Sequence, residues 1–205
     1  MYFCGHEECL YDDSEASRGK KKDDIEYSKN IDASMLFGIG NRYLNATLAK
    51  WNSSRQHALD VSNWIKNPKD MLVFVGAPNT GKTYVVVAIA NYFLNSGKDV
   101  KYFNTRRFFE EIQKAIGNDK NQYEVIGNIA RSEILIFDDI GASTNSEWQK
   151  EMILDLIDRR YSSNQPTIIT TNFTQEILKN NLGERTSRRI HSEENLILGV
   201  SGDRS

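Results

Sequence analysis

Residues 71–97 read "MLVFVGAPNTGKTYVVVAIANYFLNSG". The first five are a short continuous apolar run ending at a glycine, the pattern of a strand buried on both faces. From Lys82 the chain is long enough for a helix in spite of its valines, with Gly97 placed to close it. Between them "GAPNTGKT", Gly76 to Thr83, matches G-x-x-x-x-G-K-[ST] at every fixed position. Gly76 and Gly81 let the backbone bend so that successive N–H groups turn inward and, with the positive end of the helix, cradle phosphates. Lys82 is expected to reach the β- and γ-phosphates, and Thr83 to offer its hydroxyl to Mg²⁺. Pro78, Asn79, Thr80 and Tyr84 complete the expected contacts with the bound nucleotide.

Working outward, strands and helices alternate. Before the loop, "SSRQHALDVSNWIKN" sets Ala58, Val61, Trp64 and Ile65 on a helical face, and Pro68 stops it. After it come a strand "VKYFN", a helix "TRRFFEEIQKAI" opening on a Thr cap, and a third strand in "EILIFDDIG". "SEWQKEMILDLIDRRYSS" is an amphipathic helix capped by Ser146, and "PTIITTNF" a fourth strand. "TQEILKNNLGERTSRRI" is helical in pieces and "ENLILGV" a last strand. The alternation implies an α/β fold, a parallel five-stranded sheet with helices on both faces. Residues 1–30 include "YDDSEASRGKKKDD", which is charged and aperiodic and reads as a flexible arm ahead of a folded domain over 31–205.

The third strand delivers Asp138 to the carboxyl end of the sheet, where parallel sheets bind ligands, about 50 residues after the phosphate loop. Asp138 is then the expected Mg²⁺ carboxylate, and Asp139 the group that orients and deprotonates the attacking water. Asn172 ends the neighbouring strand, where its amide can bond the γ-phosphate or that water, with Thr170 or Thr171 sharing the role.

The totals exclude several classes. With 26 Lys+Arg against 28 Asp+Glu the net charge is −2, which argues against a general polyanion-coating protein but leaves local basic patches. No apolar run approaches the roughly 18–20 residues that cross a bilayer, so no membrane association is expected and the location reads as cytoplasmic. Two cysteines, Cys4 and Cys9, build no disulfide framework. With His6 they offer three zinc ligands where a structural site takes four, so zinc is not expected.

In this order the motifs resemble the AAA+ ATPases of the DnaC/DnaI helicase-loader group, related to the IstB transposition ATPases. The likeness runs from about residue 36 through "GIGNRYLNATLAKW", "RQHALDVSNWI", "VKYFNTRRFFEEIQKA", "ILIFDDIG", "IDRRYSSNQPTIITTNF" and "LGERTSRRI". It implies an AAA+ P-loop NTPase core with little or no separate lid domain. By the same resemblance Arg42 and Tyr43 fall in the adenine-pocket region, and Asn172 matches the first sensor. The helix over 105–116 matches the region that meets single-stranded DNA, through Arg106, Arg107 and Lys114, while Phe108 and Phe109 read as core. Arg189 matches the arginine finger, supplied across a subunit boundary in self-associating assemblies. Arg185 lies one turn earlier, able to face the same neighbour, and Arg188 points elsewhere. Arg204 lies where related chains place a second sensor arginine. The implied partners are a replicative helicase and single-stranded DNA; an IstB-like helper acting on duplex DNA is the alternative. Two departures stand out. The amino-terminal arm is short, and Asp139 replaces the glutamate common in such ATPases, one methylene shorter, which favours slow, partner-stimulated hydrolysis.

Overall fold

The computed structural model describes Tyr43, residues 45–141, Thr144 and residues 146–201. Five strands form one sheet: β1 (Met71–Val75), β2 (Val100–Asn104), β3 (Ile134–Asp138), β4 (Thr167–Thr171) and β5 (Leu196–Gly199). Their order is β2-β3-β4-β1-β5 and every pair is parallel. Seven α-helices accompany them among the described residues: α1 (Arg55–Lys66), α2 (Lys82–Asn95), α3 (Thr105–Ile116), α4 (Gln122–Ala130), α5 (Glu147–Ser162), α6 (Gln175–Leu182) and α7 (Glu184–Ile190). None is long and apolar enough to cross a membrane.

The two-residue period of the strands explains why their apolar runs are continuous. Leu72, Phe74, Ile134, Ile136 and Ile168 pack on one face with α1 and α2. Met71, Val73, Leu135, Phe137 and Ile169 pack on the other with α3, α4, α5, α6 and α7. Both faces are therefore covered. Each fully buried Ile, Leu or Phe of these layers contributes about 1.5–3 kcal/mol. Beyond sheet and helices the described residues hold no separate lid.

Local signals account for the helix boundaries. Ser54 accepts from His57 N at the start of α1, and Ser146 forms a reciprocal capping box with Gln149 at the start of α5. Gly183, at φ 88°, breaks the segment before the last strand into α6 and α7. Two expectations need correction. The cap of α3 is Asn104, whose side chain accepts from Arg107 N, and not Thr105. Asn104 holds the extended backbone a cap requires, and Thr105 spends its hydroxyl elsewhere. Helix α4 was not expected. It starts on the Asn121 cap and buries Ile126, Ile129 and Ala130.

Arg160 of α5 is fully buried. It donates to Thr167 Oγ1 at 3.0 Å, to Ala130 O at 2.9 Å and to the carbonyls of Ser132 and Pro166. One side chain thus ties the end of α5 to the α4–β3 turn and to the entry of β4. Burial lowers its pKa to about 10, which leaves it cationic at neutral pH.

Candidate nucleotide site

The carboxyl ends of β1, β4 and β3 lie side by side, so the residues that follow them converge. After β1, Gly76 N donates to Thr171 O at 3.2 Å, and Asn79 and Gly81 take left-handed backbone at φ 64° and 93°. The turn wraps Lys82, which is 6% exposed. Its ammonium donates to the loop's own carbonyls, Gly76 O at 2.8 Å and Ala77 O at 2.7 Å. Burial lowers the Lys82 pKa, opposed by the charges of Asp139 and Asp138. No carboxylate among the described residues comes within ion-pair distance of it. With a longer bond to Thr80 Oγ1 at 3.4 Å, this buried cation is held by neutral oxygens, which an arriving phosphate satisfies better. The loop also leans on the last strand. Val200 N donates to Val75 O at 2.7 Å, and a Cβ on Gly76 would lie 2.1 Å from Val200 O.

Asp138 shares a parity with Ile134 and Ile136, so it faces α2. Its Oδ2 accepts from Thr83 Oγ1 at 3.0 Å and from the Tyr102 hydroxyl at 2.6 Å, and its Oδ1 accepts from the Thr170 hydroxyl. A hydroxyl and a carboxylate this close form a hard oxygen pair that fits Mg²⁺, an ion that keeps water and phosphate for its other positions. Asp139 sits at φ 59°, a conformation Asp tolerates better than a longer residue. Every polar atom of its backbone is used. Its N–H donates to Thr170 Oγ1 at 2.8 Å and its carbonyl accepts from Thr105 Oγ1 at 2.7 Å. Its Oδ1 accepts from Asn172 Nδ2 at 2.7 Å. Burial raises the Asp139 pKa, the Asp138 charge adds to this, and Lys82 opposes it. A carboxyl moved toward neutrality is better suited to take a proton.

The other sequence candidates scatter. Tyr43 packs edge-on to Tyr84 at 6.5 Å, and the Tyr84 hydroxyl accepts from Thr47 N at 3.3 Å. Arg185 and Arg189 do face the same way, but toward their own chain. Both engage Asp158 of α5, Arg185 at 2.5 Å and Arg189 at 3.2 Å. The Arg189 guanidinium also lies 4.3 Å from the Tyr161 ring centroid. Arg188 is exposed on the outside of α7. On α3, Arg106 pairs with Glu110 at 2.7 Å, Arg107 lies over the Phe103 ring at 5.9 Å, and Lys114 is exposed. Phe108 and Phe109 are core, as expected. Arg42, Arg204, Cys4, His6 and Cys9, and the arm over 1–30, lie outside the described residues. Three site neighbours escaped the sequence reading, Tyr102, Thr105 and Asp158, and Thr170, expected near the γ-phosphate or water, instead donates to Asp138 and accepts from Asp139 N. Their partners lie about 30 residues or more away along the chain.

A five-stranded parallel sheet with a phosphate loop after β1, paired acids after β3 and an asparagine after β4 has the architecture of an AAA+ P-loop ATPase. Residues 47–188 match the family described as IstB-like ATP binding protein, and the chain belongs to that family. It is 31% identical over 119 residues to the replicative helicase loader DnaC of Escherichia coli (strain K12), covering 58% of this chain and 49% of that one. It is 28% identical over 179 residues to the replicative helicase loader DnaC of Buchnera aphidicola subsp. Baizongia pistaciae (strain Bp), covering 81% and 71%. The crystal structure of the DnaC helicase loader superposes with a TM-score of 0.69 at 27% identity, over 78% of this chain and 99% of that one. The chain spans about half the length of the Escherichia coli relative.

Proposed function

We propose that the chain is an ATP-hydrolysing loader of a replicative helicase, acting on single-stranded DNA. The observation that carries this reading is the likeness to the DnaC helicase loader, which extends over 99% of that solved chain. The relatives described above are helicase loaders, and nothing in the structure favours the duplex-DNA transposition alternative over them.

In this reading, MgATP supplies the phosphoanhydride whose hydrolysis changes the assembly state. Lys82 leaves its loop carbonyls for the phosphates, and the loop N–H groups and the amino-terminal end of α2 share the charge. Thr83 and Asp138 would hold Mg²⁺, which would supply positive charge to the phosphates. Asp139 orients a water and takes its proton, with Asn172 holding the Asp139 carboxylate at 2.7 Å. The Tyr43–Tyr84 pair is assigned to the base. Arg189 of an adjacent copy is the finger, with Arg185 beside it. Their pairing with Asp158 does not oppose this. Their side chains are 34% and 61% exposed, and ion pairs of that kind contribute at most about 1 kcal/mol. A desolvated phosphate competes well against that, because guanidinium forks onto its oxygens. Arg106, Arg107 and Lys114 are assigned to the DNA backbone, where the Arg106–Glu110 pair is equally cheap to exchange.

The test is capture of the host replicative helicase by the tagged chain, with ATP, ADP or no nucleotide. An ATP-sensitive complex is expected; its absence under all three conditions defeats the loader reading.

A further inference from the structure

We infer that Tyr102 is a positioning residue for the metal-binding carboxylate, its buried phenol holding the Asp138 side chain in place. This rests on the assignment of Asp138 and Thr83 to Mg²⁺ made above.

Strand β2 lies at one edge of the sheet, and Tyr102 points from it onto the α2 face, with 5% of its surface exposed. In the β2–β3 register Tyr102 stands opposite Ile136 and Asn104 opposite Asp138, so the Tyr102 ring runs diagonally along the sheet to reach the acid. Its hydroxyl donates at 2.6 Å to Oδ2, the same oxygen that accepts from Thr83 at 3.0 Å. Thr170 holds Oδ1 from the other side. Three neutral hydroxyls therefore surround one buried carboxylate, and no cation among the described residues lies within ion-pair distance of it. The arrangement keeps the group fixed with no cation in contact, Lys82 acting on its charge only from beyond ion-pair distance.

The three donors are not equivalent. Thr83 rides on the first turn of α2 and is itself assigned to the metal. Thr170 is shared with the backbone N–H of Asp139. Among the described residues Tyr102 donates to Asp138 alone. Thr83 would also offer a lone pair to the metal, whereas the Tyr102 hydroxyl serves only to hold Oδ2. Outer groups that orient a metal ligand are worth about 10–100-fold in metal affinity.

The measurement is binding of a fluorescent ATP analogue to the full chain, titrated with Mg²⁺ and repeated in EDTA. For Tyr102→Phe the Mg²⁺ midpoint rises about tenfold, with metal-free nucleotide affinity and the cooperative thermal melt retained. Tyr102→Leu, also without a donor, reproduces the shift. Equal midpoints for Tyr102→Phe and the wild type overturn the inference. So does a Tyr102→Phe chain that loses metal-free affinity and its melt together, since that marks packing alone. A wild-type chain whose binding ignores Mg²⁺ overturns the metal assignment itself, and the inference falls with it.

Discussion

Replacing Gly76 with alanine tests how closely the last strand supports the phosphate loop. The added Cβ would stand 2.1 Å from Val200 O, 3.1 Å from its carbonyl carbon and 3.3 Å from Thr80 Oγ1. The first contact is with backbone, so no side-chain rotation relieves it. Reaching even 3.0 Å, the practical limit for a Cβ, requires a shift of about 1 Å between the loop and the end of β5. That shift strains the Val200 N to Val75 O bond, now 2.7 Å. Overpacking of this kind costs about 1–3 kcal/mol, and a lost backbone hydrogen bond about 1 kcal/mol more. A total near 3 kcal/mol lowers the melting temperature of a chain this size by about 6–12 °C. Circular dichroism on heating reads this directly. Gly81→Ala separates space from backbone conformation. No atom lies within 4 Å of its Cβ, but its φ is 93°, so it carries only the left-handed cost of about 1–2 kcal/mol. Gly76→Ala melting within about 2 °C of the wild type, less than 1 kcal/mol at this size, refutes the reasoning.

Lys82→Ala removes charge-assisted bonds worth about 1.5–3 kcal/mol each, so nucleotide affinity measured by fluorescence titration falls about 10–100-fold; equal affinity contradicts the loop assignment. Asp139→Asn binds nucleotide with near-normal affinity and fails to release phosphate in a steady-state assay. Asn172→Ala removes a donor that favours the charged form of Asp139, whose pKa burial already raises. The base must be ionised to work, so the acid limb of the rate–pH profile moves to higher pH; an unmoved or lowered limb contradicts the pairing. Lys82→Ala and Arg189→Ala, each inactive alone, regain partial ATPase activity when mixed if Arg189 acts across a subunit boundary. No recovery returns Arg189 to its own Asp158.

What sequence patterns revealed, and what they hid, follows from the range of the interactions involved. The loop Gly76–Thr83 and the run into Asp138–Asp139 were legible because their constraints are local: a strand, a turn and a helix in consecutive residues. Strands β1 and β3 were legible because burial on both faces leaves continuous apolar runs, while the edge strands β2 and β5, only partly buried, showed as short apolar-rich segments between helices. Helix α4 was not. It is nine residues long, with Gly127 in its interior and only Ile126, Ile129 and Ala130 buried, and its stability comes from packing against α3 and α5. Thr105 looked like a cap by residue type, but Asn104 one position earlier satisfies the same need, and only the fold brings Thr105 to Asp139. Arg185 and Arg189 announced themselves as a cluster, while Asp158, their shared partner, lies in a different helix. Tyr102 carries no motif, because its role depends on sheet register alone.

The place of β1 in the sheet has a consequence for how the protein is made. Its two neighbours, β4 and β5, are about a hundred residues or more downstream. As the chain leaves the ribosome, the phosphate loop emerges early and waits, with neither flanking strand yet synthesised. Closing such long loops costs entropy before any contact repays it, so this part of the sheet assembles late. The ability to hold a nucleotide therefore arrives only once nearly all of the sheet has been translated. By mass action, the nucleotide then secures that finished state against reopening.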